Sequence, residues 1–102
     1  KEDQQPHGHL YAFYDPKTDT VFLNKDFDIH DPFHKGVLLH ELIHYVQDNN
    51  DVVGPDKRFT CVRAMEEEAY PLQKKYMLEV HGVNWKYDEL WVKLLSSCDD
   101  LY

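Results

Sequence analysis

The stretch "HDPFHKGVLLHELIHYVQDNN", residues 30–50, constrains the fold more than any other part of the chain. Leu38, Leu39, Leu42, Ile43 and Val46 recur at helical spacing and form one apolar stripe. His40, His44 and Gln47 fall on a second stripe of the same helix. Asp31 is a good N-cap and Pro32 suits the first helical position, so the helix is predicted over Pro32–Asp48. Such a helix cannot stand alone and needs partners for its faces. With 102 residues, of which 42% are hydrophobic, the chain provides them within a single domain over 1–102.

The partners can be read on either side. His9–Tyr14 and Thr20–Asn24 are rich in aromatic and β-branched residues, and "DPKTD" between them carries turn chemistry. They read as an antiparallel hairpin. After the helix, "NNDVVGPDK" breaks the pattern. A second helix is predicted to begin between Asp56 and Thr60 and to end near His81, with Gly82 as its C′ residue. Pro71 lies inside it and removes the donor to the carbonyl of Glu67, so a kink or a junction of two helices is expected between Glu67 and Pro71. A last helix is predicted over Trp85–Ser97, capped by Asn84, with Trp85, Leu90, Trp91, Leu94 and Leu95 inward.

A net charge of −8 argues against nucleic acid and anionic membranes as partners and favours a cationic metal or substrate. No apolar run approaches the ~20 residues of a membrane span. Cys61 and Cys98 match no zinc spacing and are expected to form a disulfide. With the abrupt start at "KEDQQPHG", read as a trimmed mature terminus, the pair points to a periplasmic or secreted bacterial protein.

"HELIH", residues 40–44, matches H-E-x-x-H. Residues at i and i+4 lie about 5–6 Å apart at Cβ on one helix face, so two imidazoles reach one ion. Glu41 is rotated by about 100° from His40; it reaches water on the metal without ligating. A catalytic zinc wants a third protein ligand. The extended form with a third histidine is absent, because position 50 is Asn50. About twenty residues on, "AMEEEAYPLQ" presents Glu66, Glu67 and Glu68, which point in three directions, so at most two face a common site.

"HELIH" followed by "EEEAY" resembles the gluzincin zinc metallopeptidases, and "LLHELIHYVQ…C…EEEAYPLQ" is similar to an uncharacterised bacterial family of small metallopeptidases. The resemblance covers roughly residues 9–80. It implies an α+β, zincin-like minimal domain: a small antiparallel sheet on the active helix, a glutamate helix, and a C-terminal helix behind. It implies one Zn2+ per chain held by His40, His44 and Glu66, with Glu41 as general base. Glu66 is preferred because Ala69 then falls at the pattern's alanine; Glu68 is the second choice and Glu67 the third. Where that pattern has an aspartate orienting a ligand histidine, this chain has Tyr70, whose hydroxyl would accept the bond instead; Pro71 is a second departure.

Tyr70 is also a candidate for the donor that stabilises the oxyanion, as are Tyr76, His81 and, from the N-terminal segment, His7 or His9. His30 and His34 flank the helix start as solvated residues. The hairpin edge, Leu10–Tyr14 or Thr20–Leu23, would take extended peptide by main-chain hydrogen bonds. The expected activity is therefore hydrolysis of a peptide or protein substrate, by a monomer or an oligomer. The alternatives are a zinc-binding module without peptidase activity, and a structural domain whose HELIH is accidental.

Overall fold

The computed structural model describes residues 11–98 and is a small α+β domain of one two-stranded antiparallel sheet and three α-helices. His7, His9 and the first residues of the expected first strand lie outside the described residues. Strands β1 (Ala12–Asp15) and β2 (Thr20–Leu23) pair in the register Ala12 with Leu23 and Tyr14 with Val21. Asp15 builds the turn, accepting from Lys17 N at 2.9 Å and Thr18 Oγ1 at 3.1 Å. Ala12 and Tyr14 point inward and Phe13 and Phe22 outward, as the two-residue period of a strand requires.

Helix α1 (Pro32–Asn49) starts where expected. Asp31 Oδ1 accepts from Phe33 N at 2.8 Å, and Pro32 occupies the first turn. The helix stops because Asn49 and Asn50 donate their side-chain amides to the carbonyls of Tyr45 and Val46.

The burial of α1 corrects the simple reading of its stripes. His34, Gly36, Val37, His40, Glu41 and Gln47 are buried, whereas Leu42 is 41% and Val46 54% exposed. The polar stripe faces inward because each of its groups finds a partner there. His34 Nδ1 accepts from Asp28 N at 2.9 Å, and its ring stacks on Tyr11 at 3.8 Å. His34 is therefore no solvated residue, while His30 is exposed. A buried polar group costs free energy only when its hydrogen bonds go unmade.

A 3-10 turn (Val62–Met65) leads straight into α2 (Glu66–His81). The helix continues through Pro71, and the expected junction lies upstream at Met65–Glu66. Gly82 takes the left-handed conformation (φ 66°) and closes α2 as expected. Helices α1 and α2 pack tightly at Gly36, where a Cβ would stand 2.8 Å from Met77 Sδ.

Helix α3 is shorter than expected: Glu89–Leu95, capped by Asp88 rather than Asn84. Residues 83–88 are irregular, which lets Trp85 and Tyr87 both reach Tyr70, at ring-centroid distances of 6.4 and 5.4 Å. Two residues apart, they share a side in extended chain but would diverge by about 200° on a helix. The buried position of α3 is Val92, followed by its C-cap Ser96, and Leu90 is 68% exposed.

Cys61 and Cys98 form a disulfide, an arrangement compatible with an extracellular location. It fastens the end of α3 to the residue before the 3-10 turn. In the chain-entropy model a loop of 37 residues stabilises by about 4 kcal/mol. The double variant Cys61→Ser/Cys98→Ser is expected to melt at least about 10 °C lower, which differential scanning calorimetry reads.

Candidate metal centre

The Gly36–His40–His44 row of α1 faces α2 at i, i+4 spacing, with no side chain at Gly36, where α2 packs tightly, and an imidazole at each of the other two positions. Glu66, on the first turn of α2, fills the space opposite the imidazoles. His40 Nε2 lies 2.8 Å and His44 Nε2 3.0 Å from the same atom, Glu66 Oε1. Ligand atoms of these three residues lie within 4.8 Å of one another, so the cluster can hold a metal ion.

Each histidine is oriented from behind by a glutamine. Gln73 Oε1 stands 2.9 Å from His40 Nδ1, and Gln47 Oε1 2.8 Å from His44 Nδ1. An amide oxygen only accepts, so in this pairing Nδ1 carries the proton and Nε2 is the ligating nitrogen. Gln47 is itself held: its Nε2 donates to Met65 O at 3.2 Å and to Glu68 Oε1 at 2.9 Å. Neither glutamine was singled out from the sequence, although a positional signal was there. Gln47 follows His44 by three residues, and Gln73 follows Glu66 by seven, two turns along the same face.

The three glutamates have separate places. Glu66 joins the histidines. Glu68 turns to Gln47 and an ion pair with Arg58, and its pKa is lowered first by the Gln47 hydrogen bond and then by Arg58. Glu67 is exposed. Glu41 is buried, and its Oε1 accepts from the Tyr14 amide of β1 at 2.9 Å. Tyr76 and His81 bond each other at 2.9 Å towards the other end of α2, about 15 and about 22 Å along its axis from Glu66.

Tyr70 does not take the part expected of an aspartate replacement, because Gln73 holds the His40 ring nitrogen. Its ring instead packs edge-on against His40 at 4.5 Å. Its hydroxyl is buried and has no hydrogen-bond partner among the described residues, and its pKa is pushed up first by burial and then by the charges of Glu66 and Glu41. Tyr70 lines an aromatic cavity with Phe33, Trp85, Tyr87 and Trp91, not the cleft that holds Glu41. Tyr70→Phe removes an unpartnered buried hydroxyl and is expected to raise stability by about 1 kcal/mol with metal content unchanged, read by denaturant melts and elemental analysis.

The cleft in front of the cluster has a volume of about 350 Å³. Glu41, His44 and Glu66 form its polar wall; Phe13, Val62 and Leu95 contribute apolar surface. Arg63 borders it too, a residue with no signal in the sequence because it belongs to no motif.

Burial opposes charge on His44, yet the Glu66 hydrogen bond and charge prevail and hold its pKa above the ordinary value. Burial likewise pushes Glu66 up, but its two histidine bonds prevail and bring it to about 2. In metal-free protein the Glu66 contribution is therefore present above the unfolded carboxylate value and lost as pH falls towards 2. The His44 contribution is present below about 6.5 and lost as pH rises through its raised value. Metal-free protein is expected to melt highest near pH 5–6, and the gain in melting temperature on adding metal to grow above that, since metal displaces protons. A pH series of thermal melts with and without zinc checks both.

No curated protein and no solved structure matches the chain. A family model described as "Domain of unknown function (DUF6647)" matches residues 1–101, and the chain belongs to that family.

Proposed function

We propose that the protein is a zinc-dependent metallopeptidase of gluzincin type, acting outside the cytoplasm. The observation that carries this reading is the convergence of His40 Nε2, His44 Nε2 and Glu66 Oε1, with the Glu41 carboxylate in the cleft that His44 and Glu66 also line. Two imidazoles and one carboxylate are the donor set of a catalytic zinc, and three protein donors leave a position for water or substrate. Zinc held there would polarise a scissile carbonyl and acidify water.

The chain's own residues supply the rest. Glu41 keeps one oxygen on the Tyr14 amide. Its second oxygen takes a proton from the attacking water and passes it to the leaving amine nitrogen. Gln47 and Gln73 keep both imidazoles in the ligating tautomer. The Tyr70 ring fixes the plane of His40 from behind. Strand β1 runs along the cleft with Phe13 and Tyr14 on its border, a rail for extended peptide.

The second reading, a zinc-binding module without hydrolysis, is favoured by one observation: Glu41 is already bonded to Tyr14, in a cleft at the small end of ligand pockets. The deciding experiment is elemental analysis of purified protein followed by digestion of a mixed peptide library read by mass spectrometry. One zinc per chain with new peptide termini supports the peptidase. Zinc without cleavage leaves the module, and no zinc after reconstitution removes both.

A further inference from the structure

Among the described residues, Arg63 is the only lysine or arginine bordering the cleft. It makes no ion pair or hydrogen bond among the described residues, whereas its neighbours Lys57 and Arg58 are committed to Asp51 and Glu68. It sits on the 3-10 turn, three residues before Glu66, and that turn is anchored at Cys61 by the disulfide. The backbone at Arg63 is therefore anchored beside the candidate metal centre, and its exposed guanidinium has no partner among the described residues. The surroundings sharpen its meaning. Glu41, Asp48 and Glu66 also line the cleft, so an anion entering it is repelled everywhere except at Arg63 and at a bound cation. Phe13, Val53, Val62 and Leu95 give the cleft an apolar surface. A volume of about 350 Å³ accommodates a short ligand rather than a long strand of side chains.

We infer that the cleft selects peptides in which an apolar side chain stands next to a carboxylate, and that Arg63 is the residue that reads this carboxylate through its paired N–H donors. The carboxylate is either the C-terminus of a short peptide or the side chain of a terminal acidic residue. The inference deepens the peptidase reading and rests on it for the word substrate, but the recognition itself is a binding property.

The test is isothermal titration of zinc-loaded protein with N-acetylated tripeptides ending in leucine, as free acid and as amide, and with amidated peptides ending in glutamate or glutamine. Wild type is expected to bind the leucine acid at least about tenfold tighter than the amide, the gap of one charge-assisted, bidentate contact. Arg63→Gln is expected to reduce that ratio to within about twofold, and Arg63→Lys to restore part of it. If wild type prefers glutamate over glutamine instead, with amidated termini, the carboxylate is a side chain and Arg63 still reads it. Equal binding of acid and amide together with equal binding of glutamate and glutamine peptides overturns the inference, as does an acid preference that survives in Arg63→Gln. The exposed position of Arg63 keeps these variants folded. Hydrolysis of the same peptides is followed separately: an acid preference in binding with no cleavage retires the peptidase and leaves the recognition standing.

Discussion

Glu66→Ala is expected to strip the protein of stoichiometric metal. In the folded chain one oxygen of Glu66 meets both histidine Nε2 atoms, and His40 is only 2% exposed. Without that oxygen two imidazoles remain, a donor set short of the three that catalytic zinc sites use. Loss of a ligand should exceed the 10–100-fold weakening that follows loss of an orienting partner such as Gln47 or Gln73. The consequence reaches stability, because a metal that binds only the folded state at 1,000 times its Kd adds about 4 kcal/mol. For a domain of this size that is upward of about 15 °C in Tm. Wild type should therefore gain such a shift on reconstitution and lose it to a chelator, while Glu66→Ala should hardly move. Elemental analysis in parallel should fall from one zinc per chain to near none. A variant that still carries a full equivalent of zinc would place the third ligand elsewhere.

Glu41→Gln should behave in the opposite way, keeping the metal and losing the chemistry. Glu41 stands outside the ligand cluster, and its bond from the Tyr14 amide can be accepted equally by a glutamine oxygen. Fold and zinc content are thus expected to be those of wild type. A carboxamide cannot carry the proton from water to the leaving amine, and general-base assistance contributes 10²–10⁴-fold. The rate of peptide hydrolysis should fall by about three orders of magnitude, with KM changed little. Full activity in this variant would remove Glu41 from the proton path and the peptidase mechanism with it.

How much of this was legible beforehand differs from element to element. The ends of α1 were, because Asp31, Pro32 and the asparagine pair act within a few residues of themselves. The meeting of His40, His44 and Glu66 was legible through a resemblance and not through spacing, since three adjacent glutamates look alike until the 3-10 turn sets the phase of α2. The inward side of α1 was not. Nothing local says that His34, His40, Glu41 and Gln47 are to be buried, because their partners, Asp28 N, Gln73, Tyr14 N and Met65 O, are brought by other segments. The start of α3 escaped for the same reason. Helix propensity at Trp85 and Tyr87 was outweighed by contacts with Tyr70, fifteen and seventeen positions away.

The cystine closes a covalent ring of chain that contains all of α2, the irregular run at 83–88 and all of α3. A backbone cut anywhere inside that ring leaves the molecule in one piece. The run at 83–88 is where such a cut would come most readily, being without helix or strand. After it, α3 remains tethered at Cys61, a few residues from Glu66, and a nicked chain would run as intact on a gel until it is reduced. A severed loop is then a scar and not a loss of parts.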